Sequence, residues 1–117
     1  MNEDRVSEKT VAEVAACAGK AFERLVQTMA TLRAPDGCPW DAEQTHQSLI
    51  RYLIEESYEV VEAVEAPEGT NLQLLREELG DVLLQVLFHA DIAAAEPGGF
   101  TIEQVIEGLD AKLHDRH

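Results

Sequence analysis

Hydrophobic residues recur along this chain at intervals of three and four, the spacing that lines one face of a helix. Val11, Val14, Ala18, Ala21, Phe22, Leu25, Met29 and Leu32 keep that period to about Arg33, and Thr10 with Glu13 has the pattern of a capping box at its start. Ala34-Pro35-Asp36-Gly37-Cys38-Pro39 then breaks the chain with two prolines and a glycine, which predicts a compact loop. Asp41 with Gln44 is placed to cap a second helix that reaches Ala66, with a kink or restart near Ser48. Pro67-Glu68-Gly69 ends it. Thr70 with Gln73 predicts another capping box, opening a helix whose stripe Leu72, Leu75, Leu79, Val82, Val86 and Ala93 is widened by Leu83, Leu84, Leu87 and Phe88. Pro97-Gly98-Gly99 stops that helix. A last one begins at Thr101 with Gln104, flanked by Phe100 and Val105 as a hydrophobic staple, and carries Ile102, Ile106, Leu109 and Leu113 toward the end.

No stretch shows the alternation of a strand, so the expected fold is all-α, a four-helix bundle. The helix from Leu72 is apolar around much of its circumference, more than four segments of one small chain can cover. The bundle is therefore expected to be completed by dimerisation with a second copy.

At 117 residues the chain suits a single domain. Residues 1–9 read as a polar leader, so that 1–20 hold this leader and the start of the first helix while 21–117 form the domain. Twenty-three acidic residues against nine basic ones give a net charge of −14, which disfavours attachment to nucleic acid or to an anionic membrane. An anionic ligand would have to arrive with metal ions. No apolar run approaches the ~18 residues of a membrane span, and no export signal opens the chain. Cys17 and Cys38 are too few for a disulfide framework, and the expected location is the cytoplasm.

The chemistry lies between Glu55 and Asp81. Glu56 with Glu59 and Glu78 with Asp81 each stand three apart on one helix face, so two such helices packed antiparallel would gather four carboxylates around one point. Crowded anions beside an apolar interior either hold protons or hold a cation. An ordinary solvated acidic face would carry Lys or Arg one turn from its acids, yet Arg76 is the only Lys or Arg between Tyr52 and Ala111. Gly80 sits mid-helix, where glycine costs about 1 kcal/mol relative to alanine, and suggests close approach of a backbone or ligand. Hard oxygen donors suit Mg²⁺, or Mn²⁺, rather than zinc. A di-iron bundle would need two Glu-x-x-His units, and only Glu43 with His46 supplies one.

Gly37-Cys38-Pro39-Trp40-Asp41, Gln44-Thr45, Glu55-Glu56-x-x-Glu59, Glu77-Glu78-Leu79-Gly80-Asp81 with Leu84-Gln85, Phe88-His89-Ala90 and Lys112-Leu113-x-x-Arg116-His117 together resemble the MazG family of nucleoside triphosphate pyrophosphohydrolases. The resemblance covers about Leu25 to His117. It implies hydrolysis of a nucleoside triphosphate to monophosphate and pyrophosphate, with water attacking the α-phosphorus. By position, Glu56, Glu59, Glu78 and Asp81 would hold Mg²⁺, with Glu55 and Glu56 as catalytic acids and Glu55 supporting a second metal or orienting the water. Lys112 and Arg116 would contact the phosphates. Arg76 would reach phosphate or pair with a neighbouring acid, and Trp40 would stack on a base or plug the bundle end.

The resemblance also implies nucleotide-pool house-cleaning by a homodimer or higher oligomer. Three departures stand out: one domain where larger members have two in tandem, an end at Arg116-His117 where the family continues with Pro-His-Val-Phe, and Arg51 where Pro is frequent. The alternative is a catalytically weak dimerisation or nucleotide-sensing module, against which stand the intact acids. His46, His89, His114 and His117 read as surface or satisfied histidines, because no base or nucleophile is spaced to partner them.

Overall fold

A computed structural model of the chain describes residues 9–116, so most of the expected leader and His117 lie outside it. The described residues form five helices and no strand: α1 (Val11–Arg33), α2 (Pro39–Glu43), α3 (His46–Val64), α4 (Leu72–Ala94) and α5 (Ile102–Arg116). The all-α expectation holds, with the second predicted helix divided into a short α2 and a long α3.

Local chemistry explains each boundary. The hydroxyl of Thr10 accepts from the Glu13 amide while the Glu13 carboxylate accepts from the Thr10 amide, the reciprocal box that the sequence predicts. Thr101 and Gln104 make the same exchange at the head of α5. Two expected caps are displaced. Pro39 opens α2 behind Cys38, because proline lacks an N–H and its φ suits a first helical position; Asp41 falls inside that turn and Thr45 with Ser48 forms the box that starts α3. Asn71, not Thr70, caps α4 by accepting from the Leu74 amide, and the Thr70 hydroxyl instead donates to the Val64 carbonyl at the end of α3.

The centre of the molecule is α4, which packs on α1, α3 and α5, its pairing with α3 being the most extensive. The core joins Met29, Leu49, Leu87, Phe88 and Ile92, with Phe22, Leu25, Val26, Tyr52 and Ile102 against it. The first eleven residues of α1 are exposed, and burial begins only at Phe22. The loop after α1 turns sharply: the Cys38 amide donates to the Leu32 carbonyl at 2.8 Å, and a side chain at Gly37 would collide with the Thr31 and Leu32 carbonyls. Arg33 ties three helices together, donating through Nε to the Asp41 carbonyl and through Nη1 to Oδ2 of Asp91.

Large apolar side chains stay exposed along α3 (Ile50, Ile54, Tyr58, Val61), α4 (Leu79, Leu83, Val86) and α5 (Ile106, Leu109, Leu113). No helix among the described residues is long and apolar enough to cross a membrane.

Candidate metal centre

The short connection between α3 and α4 makes them antiparallel neighbours, and positions equally far from the turn meet across the pair. Glu59 thereby faces Glu78, and Glu56 faces Asp81. One carboxylate oxygen from each of Glu56, Glu59, Glu78 and Asp81 lies within 4.8 Å of all the others. Two sequence-distant pairs have become one four-acid cluster.

Electrostatics follows from that crowding. Glu78 shares a hydrogen bond with Glu59, loses solvent, and feels the charges of Glu59, Asp81 and Glu56, which together push its carboxyl up to about 7. Burial is the main cause that raises Glu56, followed by the charges of Asp81 and Glu59, a hydrogen bond with Asp81 and the charge of Glu55. Neither residue is fully satisfied. Oε1 of Glu56 and Oε1 of Glu78 are enclosed without a hydrogen-bond partner, an arrangement rare in folded proteins because it forfeits hydration for nothing in return. Four oxygens of hard, anionic type with two lacking partners fit a divalent cation such as Mg²⁺ or Mn²⁺.

The other expected residues are placed differently. Glu55 is exposed on the side of α3, 4.0 Å from the Arg51 guanidinium, and stands outside the four-oxygen cluster. Arg76, Lys112 and Arg116 are exposed, and no ion pair among the described residues joins them to the four acids or to Glu77. Trp40 meets Tyr52 and Phe88 edge to face, at 5.9 and 6.3 Å between ring centres, so it packs over the end of the bundle. A side chain at Gly80 would meet nothing within 4 Å; the expected close approach does not occur within one chain.

The expectation of surface or satisfied histidines holds for His46 and for the exposed His114; what needs correction is that nothing is spaced to partner them. His46 and His89, from α3 and α4, meet Nδ1 to Nδ1 at 2.9 Å, and Nε2 of His46 lies 3.0 Å from Oε1 of Glu96. Partners therefore exist for both, brought together by the fold. Nε2 of His89 is enclosed without one, as is Oε1 of Gln85. Burial and the neighbouring His46 hold the His89 pKa below its ordinary value. The signal was the spacing Glu78, Asp81, Gln85, His89, which continues the acid face along α4.

An all-α bundle with four carboxylates gathered between two antiparallel helices places the chain among helical proteins whose acidic cluster could hold a divalent cation. Residues 44–117 match the MazG nucleotide pyrophosphohydrolase domain, and the chain belongs to that family. It is 57% identical over 100 residues to the nucleoside triphosphate pyrophosphohydrolase/pyrophosphatase MazG of Thermotoga maritima, covering 86% of this chain and 38% of that protein. The nucleoside triphosphate pyrophosphohydrolase of Mycolicibacterium smegmatis is 51% identical over 96 residues, covering 80% of this chain and 29% of its own length. That of Escherichia coli K12 is 42% identical over 97 residues, covering 82% and 35%. The chain thus spans less than two fifths of these relatives.

Proposed function

We propose that the chain hydrolyses nucleoside triphosphates to monophosphate and pyrophosphate in a Mg²⁺-dependent reaction, with Mn²⁺ as an alternative ion. The observation that carries this reading is the four-carboxylate cluster with its two enclosed, partnerless oxygens. Glu56, Glu59, Glu78 and Asp81 are the residues that hold the ion. An ion held by these four would supply polarisation of the phosphoryl oxygens, activation of water and neutralisation of the departing pyrophosphate.

The chain's own groups do the rest. Glu78, which keeps its proton up to about 7, would have to give it up for all four acids to hold such an ion as anions. Glu55 orients the attacking water, its carboxylate lying next in sequence to Glu56 and outside the four-oxygen set. Lys112 and Arg116, one turn apart on α5, and Arg76 on α4 take the phosphates as mobile cations. Trp40 closes the bundle end. Relatives named for that activity support the reaction type, and the biological setting we propose is removal of non-canonical or excess nucleotides from a cytoplasmic pool. The apolar faces of α3, α4 and α5 support a homodimer or higher oligomer as the working form.

The test is product analysis with a panel of ribo- and deoxyribonucleoside triphosphates in Mg²⁺ and in ¹⁸O-labelled water. Monophosphate and pyrophosphate should appear together, with the label in the monophosphate. Release of orthophosphate alone would overturn the reading.

A further inference from the structure

Both α1 and α5 pack on α4, yet no Cα of α1 comes within 8 Å of one in α5. The space between these two helices is an open groove of about 550 Å³. Its apolar floor is made by Phe22 and Val26 from α1 and by Ile102 and Ile106 from α5. Each pair stands four residues apart, about 6 Å of helix axis at 1.5 Å per residue, so the floor is two short apolar rows side by side. That is the form of surface on which the apolar face of a third helix is seated.

Charge decides which helix. Glu23, Glu103 and Glu107 border the groove and are exposed, and no ion pair among the described residues engages them. No Lys or Arg among the described residues lines it. An apolar floor alone accepts any apolar surface, whereas three unpaired carboxylates at its lip favour a partner with cations beside its apolar stripe and reject an acidic one. A small-molecule site would turn polar groups inward to fix orientation; these carboxylates lie at the surface. Residues 1–8 hold three acids and one arginine, and a second copy brings a net charge of −14, so either would meet the lip with mainly like charge.

We propose that the groove between α1 and α5 docks a cationic amphipathic helix of another protein. The apolar residues of that helix, spaced i, i+4 and i+7, lie on Phe22, Val26, Ile102 and Ile106, and its lysines or arginines meet Glu23, Glu103 and Glu107. The charge of the whole chain speeds the encounter, and the three lip acids fix where it ends. This surface stands apart from the hydrolase reading, because the four-acid cluster lies between α3 and α4.

The test is binding of a fluorescent leucine–lysine peptide of about 18 residues, five helical turns, patterned to put its leucines on one face. Anisotropy in ~0.15 M salt compares it with a peptide of the same composition in scrambled order and with a leucine–glutamate peptide of the same pattern. We expect the patterned leucine–lysine peptide to bind at least ~10-fold tighter than either control. Glu103→Gln with Glu107→Gln should weaken it ~10-fold, while Glu65→Gln with Glu68→Gln, which removes the same charge at exposed positions outside the groove, should change it less than ~2-fold. Ile106→Ser, at a side chain 46% exposed, should weaken binding with the melting curve in place. Equal losses in the two double variants, or equal binding of the scrambled peptide, would show attraction to net charge alone and overturn the proposal. Absence of binding overturns it as well, and a lower sedimentation coefficient for Ile106→Ser would then assign the groove to a second copy.

Discussion

The Arg33 guanidinium meets the Asp91 carboxylate at 2.6 Å across 58 residues of chain, with the arginine side chain 13% and the aspartate 35% exposed. This pair joins the end of α1 to the last turns of α4, and Nε of the same arginine holds the α2 carbonyl of Asp41. Arg33→Gln should lower stability by about 1–3 kcal/mol, the partial exposure of Asp91 keeping the loss below that of a fully enclosed pair. Urea melts would show this as a lower midpoint with an unchanged slope. A change below ~0.5 kcal/mol would mean that solvent replaces the clamp.

Glu59→Gln and Asp81→Asn each remove one negative charge while keeping size and hydrogen-bonding groups. Mg²⁺ affinity and turnover should fall by orders of magnitude. Stability in EDTA should stay the same or rise, because the remaining acids repel each other less. A structural acid network predicts the reverse, a loss of about 1–3 kcal/mol without metal. Thermal melts in EDTA and in Mg²⁺ beside the activity assay distinguish the two, and lost stability with retained activity would sink the metal-site reading.

The raised acids also set a pH dependence for the metal-free protein. Glu78 keeps its proton up to about 7 in the folded chain and loses it near 4.3 when unfolded. Between those values the folded state binds more protons, so its stability falls as pH rises through the window. Glu56 acts in the same direction. His89 acts in the opposite one: its lowered pKa means that stability is lost as pH falls below about 6.5. Melting temperatures in EDTA should therefore decline as pH rises from 6.5 through about 7 and level off above it, and saturating Mg²⁺ should abolish the decline by taking the place of the proton. A rise over that range in EDTA would contradict the cluster's electrostatics.

Tyr58 is 66% exposed on α3 and Leu79 52% exposed on α4, the flanks of the acid-bearing pair. Sedimentation at micromolar concentration should show at least two chains. Tyr58→Glu should shift the protein toward monomer, since it places a charge on a surface proposed to be covered. A folded monomer in the unaltered chain would show that these faces are stable in water.

Local structure is what the chain's residue pattern specifies. Three- and four-residue periodicity specifies the long helices, Thr10 with Glu13 and Thr101 with Gln104 specify their caps, and the spacing of Glu56, Glu59, Glu78 and Asp81 specifies two acid pairs, because each property depends on residues within one turn. Where two adjacent residues competed, local rules were insufficient: Asn71 took the cap from Thr70 once the Val64 carbonyl could bind the threonine hydroxyl. The tertiary structure alone decided what depends on distant segments. The antiparallel register of α3 and α4 made one cluster of two pairs and enclosed Glu56 and Glu78 more than Glu59 and Asp81. The same packing brought His46 to His89 and Glu96, and Arg33 to Asp91. No spacing along the chain encodes such meetings, because they arise where separate helices bury their apolar faces against one another.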